Sequence, residues 1–157
     1  MRRLTLVLAM AFSLAACGGS GPAPSPAPAA YVSVVCSGRA KLLGLKPKID
    51  LMIQAVGSSD LATANYWAAE IADGLDPLVD PFDTVPKWAP GDELASVVGV
   101  MVAASWNLAD RIQTANNSGD TSTVIEDVSF YSDVAAGGWP KMGTAMATAS
   151  SAGLICP

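Results

Sequence analysis

The three cysteines are the side chains with the most definite chemistry in this chain of 157 residues. Cys17 ends the tetrapeptide Leu-Ala-Ala-Cys, whereas Cys36 and Cys156 lie far apart in the remaining sequence. A thiol can be acylated, can be oxidised to a disulfide or can bind a metal ion, and its sequence context favours one of these reactions. Histidine is absent from the chain, which excludes every catalytic or metal site that needs an imidazole.

The first 16 residues predict a removable export signal. Two arginines precede an apolar stretch at residues 4–14, which is too short to cross a bilayer. The sequence of residues 14–18, Leu-Ala-Ala-Cys-Gly, resembles the lipobox of bacterial lipoproteins. This resemblance implies that Cys17 receives a diacylglyceryl group, that the chain is cleaved after Ala16, and that the mature protein is anchored through its first residue. The alternative is an ordinary secretory signal with an incidental cysteine.

The anchored chain is predicted to consist of a tether and one helical domain. Residues 17–30 comprise the cysteine followed by Gly, Pro, Ala and Ser, which cannot form a core and which extend up to about 35–40 Å. Residues 31–157 are long enough for a single domain with a buried core. Loss of the two signal arginines leaves 7 basic and 14 acidic side chains, a net charge of about −7, so nucleic acid is not an expected partner.

The two remaining cysteines of an exported chain predict a disulfide between Cys36 and Cys156. This bridge closes a loop of about 120 residues, and the chain-entropy relation for loops of that size gives a stabilisation of about 4–5 kcal/mol. The alternatives are two free thiols and a metal site. Two thiolates without further ligands make a poor metal site.

Apolar residues recur at the three- and four-residue spacing of amphipathic helices, and no segment alternates like a strand. The pattern predicts an all-α bundle of four to five helices that is stapled by the disulfide. A first helix carries apolar residues over 42–56, with a kink or break near Gly44 and Pro47. A second follows Ser58, Ser59 and Asp60, which supply N-cap chemistry, and repeats strictly over 61–78.

The second half of the chain predicts two or three further helices. A third helix starts with the acidic residues 92–93, which suit the positive end of a helix dipole, and closes at residues 116–119. A fourth begins with a capping box at residues 123–126 and ends at the glycines 137–138. A weaker fifth segment follows Pro140.

The segment from Asp76 to Gly91 is predicted to be a loop, because four prolines interrupt the helical pattern there. Prolines limit its conformations and so lower the entropy that is lost on binding. Its candidate binding residues are two aromatic and two acidic side chains: Asp80, Phe82, Asp83 and Trp88. The alternative is that the aromatic residues fold back and cap the bundle.

Carboxylates are the remaining groups that could do chemistry. A pair of them could act as the acid and base of a cell-wall hydrolase, and the available residues are Glu70, Asp73, Glu93, Glu126 and Asp127. Their ordinary interpretation is that of exposed helix residues. An acidic series also runs over residues 73–83, but its spacing is not that of a calcium loop, so it is expected to be solvated. No metal and no other cofactor is expected.

These features together predict a binding module of the bacterial cell envelope rather than an enzyme. Its expected partners are the membrane, through the lipid on Cys17, and an envelope or phage protein. Its expected location is the outer face of the cytoplasmic membrane, or the outer membrane in an organism that has one.

Small phage or prophage lipoproteins that block the entry of further phage DNA have a similar order of signal, tether and small domain. This resemblance implies superinfection exclusion as one form of the function. The alternatives are the carboxylate hydrolase and a carrier that holds a lipid or a small apolar ligand between its helices.

Replacement of Cys17 by Ala is expected to yield uncleaved precursor or protein released from the membrane, because the thiol that bears the lipid is lost. Membrane fractionation and the mass of the N-terminal peptide measure both effects. A Cys17→Ala protein that is processed and membrane-bound like the unaltered chain would contradict the lipid anchor.

Overall fold

A computed structural model describes residues 25–157 of the chain. The export signal, Cys17 and the tether as far as residue 24 lie outside the described residues, so the lipid anchor stays a prediction. Within residues 25–157 no helix is both long and apolar enough to cross a membrane.

Four long helices and no strand make up the described part of the chain, which confirms the predicted all-α bundle. The first begins as a short α1 (Ala29–Tyr31), passes through a π-helical turn (Val32–Cys36) and continues as α2 (Ser37–Gly57). The others are α3 (Leu61–Asp83), α4 (Asp92–Ser118) and α5 (Val124–Ser151), and a 3-10 turn (Ala89–Gly91) precedes α4. Because the connections are short, each long helix runs antiparallel to the next. α4 packs against both α3 and α5, and α2 packs mainly against α3.

Two helix ends follow the predicted capping chemistry. The Asp60 carboxylate accepts a hydrogen bond of 3.0 Å from the Thr63 N–H and so satisfies one free donor in the first turn of α3. After α4, Gly119 adopts a φ of 74°, which glycine reaches without steric cost, and its N–H bonds to the Ala115 carbonyl. These contacts confirm the predicted start of α3 and the predicted end of α4.

Prolines interrupt the helices less than the sequence predicts. α2 continues through Pro47, so of the predicted kink or break at this position the break is wrong. α3 continues through Pro77 and Pro81 to Asp83, so the predicted loop from Asp76 is wrong as well. Pro77 is exposed, and carbonyls that lose a backbone donor can bond to water on this outer side of the helix. The inner side of the same turns packs against the core, which keeps them helical.

The predicted fourth and fifth helices form the single helix α5. The glycines 137–138 and Pro140 lie inside it, because one face of the helix is packed along most of its length. Gly138 is buried against Met101 of α4, where a Cβ atom would collide with the methionine sulfur. Glycine permits a close helix contact here instead of ending a helix. The predicted capping box is also wrong, since the Thr123 side chain makes no hydrogen bond to the start of α5.

The disulfide joins the two ends of the domain. Cys36 and Cys156 are bonded, with 5.4 Å between their Cα atoms and a sequence separation of 120, which confirms the predicted pairing. Cys36 is buried, and so is Leu154, two residues ahead of the second cysteine. The segment after α5 is therefore held against the start of α2 by a covalent bond and by apolar packing.

Replacement of both bridge cysteines by Ser is expected to lower the free energy of unfolding by about 2–5 kcal/mol, because the unfolded chain gains the freedom of the opened loop. The double change avoids leaving one reactive thiol behind. Urea unfolding followed by far-ultraviolet circular dichroism measures the effect. An unfolding midpoint equal to that of the oxidised protein would show that the bridge does not stabilise the fold.

Candidate functional site

The last turn of α3 is fixed by the ring of Phe82, which lies between α2 and α4. A Cβ atom at Gly38 of α2 would lie 2.6 Å from Cζ of this ring, and one at Gly99 of α4 would lie 3.1 Å from its Cδ1. The two glycines thus provide the space that the ring occupies, and a larger residue at Gly38 would displace it. Phe82 is partly buried against the core, so it is a fixed wall rather than a free aromatic anchor.

An open groove with a volume of about 580 Å³ lies between the second half of α3 and the first half of α4. We term it the α3–α4 groove. Its mainly apolar surface is formed by Val79 and Phe82 of α3, Val85 and Pro86 of the connection, and Ala95 and Gly99 of α4. Val100 also lines it and is 53% exposed. An exposed apolar groove of this kind is typical of a protein-binding surface.

Four exposed carboxylates belong to α3, the helix that forms one wall of the groove. They are spaced by three, four and three residues, which places them on one face of the helix. They are termed the acidic stripe: Asp73, Asp76, Asp80 and Asp83. Asp83 also lines the groove. The sequence predicts a solvated loop for much of this series, but α3 holds the carboxylates in register over about three turns.

Trp88 is a packed cap of the bundle and not an exposed anchor. It is 5% exposed, and its ring meets the ring of Tyr31 edge to face, with 5.3 Å between the centroids. Its indole N–H donates a hydrogen bond of 2.7 Å to the Ser25 carbonyl, and its backbone N–H donates one of 3.0 Å to the Asp92 carboxylate. Of the two alternatives that the sequence leaves open, the cap is therefore the one that the structure adopts.

The Tyr31 hydroxyl closes the same end of the bundle. It donates a hydrogen bond of 2.6 Å to the carbonyl of Gly91, just before α4. Gly91 has no space for a side chain, because a Cβ atom there would collide with the Tyr31 hydroxyl and with the Trp88 ring. Burial, together with the negative charge of Asp92, raises the pKa of Tyr31 to about 12, so the hydroxyl keeps its proton and donates at ordinary pH.

The four predicted binding residues fall into two environments. Asp80, Phe82 and Asp83 lie in the last turns of α3, and Phe82 and Asp83 line the groove. Trp88 lies in the packed end and is not part of the groove lining. A binding role for the three residues of α3 stays a prediction.

The α4 side of the groove is the part that sequence reasoning misses. Ala95, Ser96, Gly99 and Ala103 are small residues that line the groove. Their spacing places them together on one face of α4, apart from the face whose side chains are buried in the core. A set of small residues on the outer face of a long helix is the signal that could indicate such a groove.

Two of the carboxylates considered for catalysis are held in surface contacts. Glu70 accepts hydrogen bonds from the Lys48 ammonium and from the Tyr66 hydroxyl, and these contacts lower the pKa of the Glu70 carboxyl. Glu93 lies 3.5 Å from the Lys141 ammonium. Both therefore have the ordinary role of surface ion-pair partners.

In the described part of the chain no cluster of three or more His, Cys, Asp or Glu could hold a metal ion.

Asp127 lies in a second cavity, of about 290 Å³, between α4 and α5. Arg111 and Phe130 line the same cavity, but no other member of the considered catalytic set does so. A glycosidase needs two carboxylates that face one substrate. Among the described residues, neither this cavity nor the α3–α4 groove brings two members of that set together.

No protein-family model, curated protein or solved structure matches the chain. The features on which a function can be argued are thus its own: an open apolar groove, a line of carboxylates beside it and a packed end with buried aromatic rings. The groove is the largest of the cavities described above, and it is the candidate functional site.

Changing Trp88 to Ala is expected to lower the free energy of unfolding by about 3–5 kcal/mol, because loss of the buried ring leaves a cavity beside Tyr31. Trp88→Phe keeps most of the ring contact but loses the donor to Ser25, and a loss of about 1 kcal/mol is expected. Urea unfolding measures both changes, and Lys87→Ala at the exposed neighbouring position is the matched control. A Trp88→Ala protein as stable as Lys87→Ala would be incompatible with a packed cap.

Proposed function

We propose that the protein is a lipid-anchored binding module of the cell envelope that docks a basic segment of another protein in the α3–α4 groove. The observation that carries this proposal is that the acidic stripe lies on a helix that forms one wall of an open apolar groove and ends at Asp83, which lines the groove. Burial of apolar area in the groove supplies binding free energy, and the charges select the partner.

The disulfide supports the anchor part of the proposal. Disulfides persist in oxidising compartments outside the cytoplasm, which agrees with an export signal. The bond between Cys36 and Cys156 also uses two of the three cysteines, so Cys17 is the thiol that is left for acylation. A diacyl group gives stable attachment, whereas a single acyl chain binds a membrane only reversibly.

The partner segment is expected to combine apolar and basic side chains. Its apolar side chains would lie against Phe82, Val85 and Val100, and its Lys or Arg side chains would lie along the acidic stripe. Each exposed ion pair contributes little by itself. Four carboxylates in register, on a mature chain with a net charge of about −7, nevertheless attract a basic partner and accelerate its association.

Superinfection exclusion is one form that this function takes if the protein belongs to a phage or prophage. That form is supported by the order of signal, tether and small domain, and by no residue of the groove. Phage challenge of cells that express the anchored protein tests it directly.

A carrier of a lipid is the second candidate function, because the groove is mainly apolar. The groove is open to solvent, however, so an acyl chain bound there would stay partly in water. A protein segment, whose outer face is polar, matches an open groove better.

Reversal of two charges of the stripe, Asp76→Lys with Asp83→Lys, is expected to reduce partner binding at least tenfold, because attraction becomes repulsion. The readout is photo-crosslinking in cells from a photoreactive residue at Ser96, an exposed position of the groove. The matched control is Asp110→Lys with Asp133→Lys, which reverses two exposed charges elsewhere.

Thermal unfolding of both double variants checks that the fold is kept. An adduct that persists unchanged after reversal of the stripe would contradict the proposal. So would the lack of any adduct from Ser96.

A further inference from the structure

We propose that the occupant of the α3–α4 groove is a basic amphipathic helix that lies at the membrane surface. This inference rests on the proposed function and deepens it, because it names the form and the place of the partner segment. Three features carry it: the shape of the groove along α4, the end of the bundle that the tether joins, and the sign of the charge beside the groove.

The shape of the groove fits a helix of about three turns. Residues that line it run along α4 from Asp92 to Ala103, a length of about 17 Å at 1.5 Å per residue. Ala95, Ser96 and Gly99 are small, and small residues at a contact let a second helix approach closely. Apolar side chains of a partner helix at positions i, i+3, i+4 and i+7 would then enter the groove.

The acidic stripe has the same period as the side chains of a helix. Its carboxylates recur every three or four residues along α3, and the last of them, Asp83, lines the groove. Lys or Arg residues at the same intervals on one flank of a partner helix can meet several of these carboxylates at once. An extended segment, whose side chains alternate every second residue, does not share this period.

The chain enters the bundle beside the groove. The Ser25 carbonyl accepts the hydrogen bond from the Trp88 indole, and an open cavity of about 400 Å³ at this contact is lined by Ser25, Trp88 and Lys87. Lys87 lines the α3–α4 groove as well. One residue is thus shared by the groove and by the point at which the tether meets the domain.

This arrangement limits the distance between the groove and the lipid anchor. Cys17 precedes Ser25 by eight residues, and eight residues of a Pro-rich segment reach about 25 Å. The groove then lies within about 45 Å of the bilayer even when the tether is fully extended and the bundle stands upright. The turn between α4 and α5 lies at the opposite end, because the 27 residues of α4 span about 40 Å.

The charge of the stripe decides between lipid and protein as the occupant. Anionic headgroups repel four carboxylates, so the bilayer itself is not expected to cover the groove. The same headgroups attract basic amphipathic helices, which lie in the interface with their apolar face down. A groove held near the bilayer meets such helices where they are concentrated and competes with lipid for their apolar face.

The test uses the mature, lipid-anchored protein in phosphatidylcholine vesicles that contain about 25% phosphatidylglycerol, so that the surface is anionic. A fluorophore on Ser96→Cys reports the groove, and one on Ile125→Cys reports the far end, since both positions are exposed. The probe is a synthetic peptide of about 18 residues with Leu at helical spacing and Lys elsewhere. The control peptide has the same composition in a scrambled order.

The ordered peptide is expected to change the emission at Ser96 at concentrations at least tenfold lower than the scrambled peptide, and to leave the emission at Ile125 unchanged. Equal binding of both peptides overturns the helical form of the partner and leaves the docking of a basic segment standing. Binding of neither peptide at Ser96 overturns the inference.

Energy transfer from these fluorophores to an acceptor on the lipid headgroups tests whether the groove lies near the membrane surface. Transfer from Ser96 is expected to exceed transfer from Ile125, because the groove lies at the tethered end. Equal or reversed transfer overturns the location at the membrane surface. The proposed function fails by a different result, which is the lack of an adduct from Ser96 in cells.

Discussion

The burial of the Phe82 ring between two glycines is the contact on which the shape of the candidate site depends. A proline inside a helix costs about 3 kcal/mol, and the last turns of α3 contain two of them. Burial of a large apolar side chain contributes about 1.5–3 kcal/mol, and Leu75, Leu78, Val79 and Phe82 are all packed in these turns. If the turns were not helical, the groove would lose one wall and the acidic stripe would lose its register.

Helical periodicity predicts the parts of the fold where local and tertiary signals agree. Residues 61–75 repeat at helical spacing, Asp60 caps them, and Gly119 ends α4 in the conformation that glycine favours. The predictions fail where Gly or Pro has a role in packing. Gly138 leaves space for the Met101 side chain of a neighbouring helix. In α3 the free energy gained by packing the inner side offsets the cost of the two prolines. A local sequence pattern shows neither contact, because both depend on residues of other helices.

The candidate site is only partly predictable for a related reason. Phe82 and Asp83 can be predicted from the sequence, because an aromatic residue next to prolines and acidic residues is a typical binding pattern in a loop or at a helix end. The state of Trp88 depends on Ser25 and Tyr31, which lie 63 and 57 residues away in sequence, so its burial cannot be deduced from its neighbours. The disulfide needs no such information, since a predicted export signal and the number of cysteines favour the pairing without any knowledge of the fold.

The hydrogen bond between Trp88 and Ser25 lies at the point where a tethered domain takes up mechanical tension. If the chain is anchored through Cys17 as proposed, a pull on a partner in the groove enters the domain at Ser25. The backbone towards α2 and the hydrogen bond to Trp88 share this force, and Lys87, the neighbour of Trp88, lines the groove. The disulfide at the same end resists peeling of α2 from the bundle. If the protein is anchored and docks a partner as proposed, the turn between α4 and α5 lies outside the shortest path of this force, and the load falls on the tethered end of the bundle.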